Sequence, residues 1–140
     1  MKTPKVMSGK PQALNETMLG KTKSIESVLS RYLLLNQETC DGAPAHIAVH
    51  LINDLKEAPE PYVHAHRHSP CDEIGLVIGQ PGALEYEMIL NGETHRITSP
   101  GSIFIPAGTL HRARALRGNG AYVCILMDSR GPSASNTVTG

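Results

Sequence analysis

Three histidines, His64, His66 and His68, alternate with Val63, Ala65 and Arg67, and Glu73 follows five residues after the last of them. Side chains two apart on a strand project to the same face, so an extended segment would hold all three imidazoles together. Imidazoles joined by a carboxylate from a neighbouring strand are ligands for Fe2+, Mn2+, Zn2+, Ni2+ or Cu2+. A bare His-x-His has a competing reading, an exposed strand face that happens to carry histidine. The third histidine and the carboxylate behind it favour metal.

The elements that must position these groups are short. Strand-like runs at 31–35, 46–52, 62–68, 73–78, 84–90, 94–98, 102–105, 111–116 and 122–127 are separated by turn residues, with no internal repeat and no long helix. Spacing of roughly 8–12 residues predicts an antiparallel sandwich or barrel. Asn91-Gly92 between two alternating runs is the dipeptide of a two-residue type I′ hairpin, whose central residues both need positive φ. That turn sets Met88 opposite His95, Glu87 opposite Arg96 and Tyr86 opposite Ile97. Tyr86, Met88, His95 and Ile97 should then face inward, and Glu87 and Arg96 should pair in water. The runs 74–78 and 122–127 carry large apolar side chains on both faces, so both faces should be covered.

Composition narrows the partners. Lys plus Arg is 13 and Asp plus Glu is 13, giving no net charge, and aromatics are 4% with no Trp. Neither the cationic surplus nor the stacking platform of a nucleic-acid binder is present. The longest apolar run, 121–127, falls far short of the ~20 residues of a membrane helix. No export signal opens the sequence, and three scattered cysteines, Cys40, Cys71 and Cys124, make no disulfide framework, so a cytoplasmic setting is expected. Residues 1–23 read as a flexible arm with a single helical turn near 15–19, residues 24–128 as the folded domain, and residues 129–140 as a disordered tail.

Two segments together resemble the cupin superfamily. Its first motif is His-x-His, three or four residues, Glu, about six residues, Gly; here His66-Arg67-His68 is followed by four residues, Glu73, five residues and Gly79. Its second is Gly, about five residues, Pro-x-Gly-x-x-His. Here Gly101 precedes Pro106 by one residue fewer than usual, Ser102 stands where Asp is frequent, and Pro106-Ala107-Gly108-Thr109-Leu110-His111 matches throughout. The resemblance implies an all-β fold, a double-stranded β-helix (jelly-roll) barrel. It also implies one divalent metal ion per chain, Fe2+ favoured over Mn2+, Zn2+ or Ni2+, held by His66, His68, Glu73 and His111. His64 departs from the motif spacing and stands as a supporting residue or alternative ligand, and Cys71 as a minor one.

Such a site leaves coordination positions open for water, dioxygen or substrate, as catalytic sites do. The expected function is a metal-dependent enzyme on a small-molecule substrate, an Fe2+ dioxygenase or an Mn2+/Zn2+ isomerase or lyase. His64, Tyr86 and His95 are its candidate proton-transfer groups. A non-catalytic metabolite-binding or accessory cupin is the alternative. Met88 and Phe104 are expected in the core, His46 and His50 as ordinary strand histidines, and Arg112 and Arg114 in solvent or at a subunit boundary. The two-faced apolar runs, with the resemblance, lead us to expect a homodimer.

Overall fold

The computed structural model describes residues 2–14, 25–68, 71–131 and 138–139. The helical turn expected near 15–19 and most of the 129–140 tail lie outside them. Among the described residues the strands are β1 (Lys10–Gln12), β2 (Leu29–Leu35), β3 (His46–Leu55), β4 (His66–Arg67), β5 (Glu73–Ile78), β6 (Leu84–Leu90), β7 (Glu93–Thr98), β8 (Gly101–Ile105), β9 (His111–Leu126) and β10 (Val138–Thr139). Every pairing is antiparallel. Among the described residues no helix is long and apolar enough to cross a membrane.

Asn91 and Gly92 take φ of 49° and 83°, as the hairpin turn requires, and β6 and β7 pair in the expected register, Met88 opposite His95 and Glu87 opposite Arg96. The side chains depart from expectation. β6 lies between β7 and β9, whereas β7 pairs with β6 alone. Tyr86 and Met88 are therefore buried, and His95 stays exposed beside Glu93 at 3.7 Å. Glu87 turns from Arg96 to Arg114, whose guanidinium lies 2.9 Å away and also donates to the Pro59 carbonyl at 2.8 Å. Arg96 and Arg117 share Glu85 instead.

The runs 111–116 and 122–127 merge into the single strand β9. Gly118 and Gly120, read as a break, instead let it bend. Gly118 has φ of +108°, and a Cβ there would sit 1.8 Å from the Ala83 carbonyl oxygen, a gap only glycine leaves open. Before the bend β9 pairs with β6 on one side and, through His111, with β4 on the other; after it, β9 lies between β3 and β5. One strand thus runs through both layers of a barrel. The first layer orders β1-β2-β3-β9-β5-β8, the second β7-β6-β9-β4-β10.

Alternation along these strands divides inside from outside. Inward, Val77, Leu84, Tyr86, Met88, Ile105, Ala115 and Tyr122 form the core with Ile25, Leu29, Ile52, Tyr62 and Val63. Outward, the register aligns Leu35, Ile47, Ile125, Ile74 and Phe104 in one row, and Tyr32, Val49, Val123, Leu76 and Ser102 in the next. Phe104, expected in the core, is 61% exposed on this outer face, because its neighbours Ile103 and Ile105 take the inward parity of β8. At the ends of the chain, β1 pairs with β2, and β10 pairs with β4 beside His66.

Candidate metal centre

The two motif segments are bound to each other by the turn that follows β8. Gly108, at φ +85°, donates its N–H to the His68 carbonyl at 2.9 Å, and Ala107 N–H donates to Asp72 Oδ1 at 2.9 Å. The hairpin tip joins the same turn: Asn91 N–H reaches the Leu110 carbonyl at 2.7 Å, and Leu110 N–H reaches Asn91 Oδ1 at 3.0 Å. These bonds fix where β9 begins, and therefore where His111 stands.

His66 and His111 are directly opposed across β4 and β9. Their ring centroids are 4.5 Å apart, with His68 at 4.8 and 5.5 Å from the two. The ligand atoms of His66, His68 and His111 lie within 4.8 Å of one another, and all three residues are buried. The group could hold a metal ion. Glu73, the first residue of β5, joins it: Oε1 is 3.4 Å from His68 Nε2 and 3.2 Å from His111 Nε2, and Oε2 accepts the Cys124 thiol at 3.3 Å.

The hydrogen bonds decide which ring nitrogens face the cluster. His66 Nδ1 lies 2.8 Å from the His64 carbonyl and His111 Nδ1 lies 2.8 Å from the Thr109 carbonyl. A carbonyl only accepts, so each Nδ1 carries the proton and each neutral ring offers its Nε2 lone pair. This is the support that metal-ligating histidine ordinarily receives. His111 Nε2 and Glu73 Oε1 are buried without a hydrogen-bond partner of good geometry. Two electron-rich atoms facing each other across 3.2 Å need either a metal ion or a second proton on His111 between them. The donor set and these orphaned atoms fit a divalent metal.

Without that ion the electrostatics divide the cluster. Burial, reinforced by the neighbouring histidines, lowers His66 and takes His68 down to about 4, so both rings are neutral near pH 7. Burial works the same way on His111, but the Glu73 carboxylate outweighs it and raises His111. Burial pushes the Glu73 carboxyl up, yet His111, His68 and the Cys124 thiol bring it below the usual range. Burial and the Glu73 carboxylate hold the Cys124 thiol far above its usual range, so it is a neutral donor.

The cluster opens onto a cavity of about 80 Å3, lined besides by Arg31, His46, His50, Tyr62, Tyr86, Tyr122 and Cys124. Of the proton-transfer candidates, Tyr86 lines it, while His64 and His95 are exposed outside. The same-face expectation fails at His64 because 64 and 65 are not in a strand; its carbonyl, not its ring, supports His66. Cys71 is buried but does not line the cavity. His46 and His50, read as ordinary strand residues, are cavity walls. The inward register explains them: Arg31, His50, Tyr122 and Val77 form one row, and His46, Leu126, Glu73 and Ile105 another. Gly75 makes room for this wall, since a Cβ there would stand 2.4 Å from the Tyr122 hydroxyl. Sequence reasoning missed Arg31, Tyr122 and Cys124, although the alternation of the 122–127 run already put Tyr122, Cys124 and Leu126 on one face.

No protein-family model matches the chain, and no curated protein matches it in sequence. Solved structures match it in fold. KdgF from Halomonas sp. is 20% identical over 74% of this chain and 83% of its own, with a TM-score of 0.50. A cupin 2 domain-containing protein from Halorhodospira halophila is 20% identical over 74% of this chain and 66% of its own, with a TM-score of 0.56. A variant of Streptomyces PAC13 with uridine is 10% identical, covers 99% of this chain and 93% of its own, and has a TM-score of 0.62. At such identities the likeness speaks to architecture, and it agrees with the two motifs and the antiparallel barrel they close: the chain has the cupin fold.

Proposed function

We propose that the chain is a metal-dependent enzyme acting on a small molecule inside the barrel, with His66, His68, His111 and Glu73 as ligands of one divalent ion. The observation that carries this reading is the pair of Nδ1–H bonds to the His64 and Thr109 carbonyls, which leave the Nε2 lone pairs of His66 and His111 for the ion. Three imidazoles and one carboxylate suit Fe2+, Mn2+, Zn2+ or Ni2+, and the resemblance to cupins favours Fe2+. Such an ion supplies Lewis acidity toward a substrate oxygen and, if it is Fe2+, a site for dioxygen chemistry.

The protein groups do the rest. The core side chains Tyr62, Val63 and Tyr86 line the cavity beside the cluster. The Cys124 thiol holds Glu73 Oε2, leaving Oε1 toward the histidines. The Tyr86 hydroxyl, buried in the cavity wall beside that of Tyr62, is the group placed to donate a proton to a bound molecule, and burial keeps it protonated. A role in catalysis on small polar molecules is compatible with the fold: the similarly folded Pac13 is described as a nucleoside dehydratase.

Metal analysis of untagged protein, followed by oxygen uptake and product analysis on a metabolite panel, tests the proposal. One equivalent of metal and metal-dependent turnover are expected. A protein that never takes up metal refutes the site. Stoichiometric metal without turnover of any panel member would instead favour a metabolite-binding role.

A further inference from the structure

Arg31 brings a cation into the cavity wall. It stands opposite His50 in the inward row of β2 and β3. Its Nε donates to Gln12 Oε1 at 3.0 Å and its Nη1 donates to His50 Nε2 at 2.9 Å. Both partners are neutral. Gln12 is an amide, and His50, accepting through Nε2, carries its one proton on Nδ1. Among the described residues Arg31 has no carboxylate partner. A partly buried guanidinium held on two sides by neutral groups keeps an edge of its fork for an anion. A partly buried charge with no counter-ion among the described residues favours an anion beside it.

A second observation on the same wall points to a ligand. The Tyr122 hydroxyl, on a residue beside His50 in the same row, is buried with no hydrogen-bond partner, and the Tyr122 ring stacks at 4.6 Å on that of Tyr86, whose hydroxyl meets the Tyr62 hydroxyl. An orphaned hydroxyl lining the same cavity as this guanidinium adds a second donor for oxygen. We propose that the cavity takes a small carboxylic acid: its carboxylate lies on Arg31, and its adjoining oxygen turns toward the Tyr122 hydroxyl and the histidine cluster. The placement of that adjoining oxygen rests on the metal reading above; the Arg31 subsite does not. Arg31 then determines specificity, and Gln12 of β1 and His50 of β3 position its fork.

The test is a ligand-observed NMR titration with two matched pairs, lactate against lactamide and pyruvate against pyruvamide, and with inorganic phosphate. Each is run on metal-free and Zn2+-loaded protein. The acids should bind more tightly than their amides by roughly 10- to 100-fold, the worth of a charge-assisted pair. Arg31→Gln should remove that preference in both forms of the protein while amide binding changes little, a selectivity that a merely destabilised barrel would not produce. Should Arg31→Gln fail to fold, Arg31→Lys, which keeps the cation and loses the fork, should still bind acids more weakly than wild type. Equal binding of acid and amide overturns the subsite, as does an acid preference that survives in Arg31→Gln. Tighter binding of phosphate than of either acid overturns the carboxylate assignment. Arg31-dependent acid binding in a protein that takes up no Zn2+ sinks the metal reading and leaves the subsite standing.

Discussion

His111 Nε2 and Glu73 Oε1 face each other at 3.2 Å while His111 commits its Nδ1–H to the Thr109 carbonyl. In the metal-free protein this gap closes only if His111 carries a second proton, which is why the neighbouring carboxylate raises it. Metal and proton therefore compete for one place.

Replacing His66 and His111 together with Ala should abolish stoichiometric metal binding, read by elemental analysis of dialysed protein. Chelation of the wild type should lower its melting temperature, because the fold loses the linked binding energy, about 2.7 kcal/mol when free metal stands at 100 times Kd. A double variant that keeps a full equivalent of metal would show that the ligands lie elsewhere.

His50 gives a pH dependence away from the cluster. Burial, with Arg31 beside it, takes its pKa from 6.5 down to about 3. Between those values the unfolded chain binds a proton that the folded chain refuses, so this stability is complete above pH 6.5 and drains as pH falls. The slope approaches about 1.4 kcal/mol per pH unit. In His50→Gln, which keeps an acceptor for Arg31 and cannot titrate, urea unfolding at pH 6 and pH 4.5 should show a shallower loss than wild type. Equal slopes would mean that His50 is protonated in the fold.

Gly118→Ala should cost about 2–4 kcal/mol, because the new Cβ collides with the Ala83 carbonyl and the backbone sits at φ +108°. Gly92→Ala, at φ +83° with open space around it, should cost only about 1 kcal/mol. Chemical denaturation of the two variants separates collision from strain. Similar losses would contradict the close approach that lets β9 bend.

The outer rows of Ile47, Ile125, Ile74 and Phe104, with Leu76 and Val123 beside them, suit a second copy of the chain in a two-fold pairing. Light scattering should give twice 15.1 kDa, and Phe104→Glu should shift the mass to that of one chain. A wild-type mass near 15.1 kDa would reject the pairing.

Much of the buried cluster was legible because its residues sit close together in sequence. His66, His68 and Glu73 fall within eight residues and His111 ends a turn with its own glycine, so short-range spacing carried them. The Asn91-Gly92 hairpin was legible for the same reason, down to its register. Arg31, His50 and Tyr122 were not, because they meet through pairings of β2, β3 and β9 that span most of the chain. Alternation says which residues share a face, not which face is the cavity. His95 was misplaced by that ambiguity at an edge strand, where inward parity no longer means burial. The glycines at 118 and 120 look like a turn in isolation, and only the approach of Ala83 shows them to be a bend.

β9 also bears on how the molecule is made. It supplies partners to β3, β4, β5 and β6, so neither layer is complete until residue 126 has been synthesised. The barrel must close long loops before it gains its central pairings, which places it among slow folders of high contact order. While β9 is missing, the edges of β3 and β5 lie open with their apolar side chains, an aggregation hazard during synthesis. Truncation before residue 126 should therefore leave an insoluble chain rather than a smaller barrel.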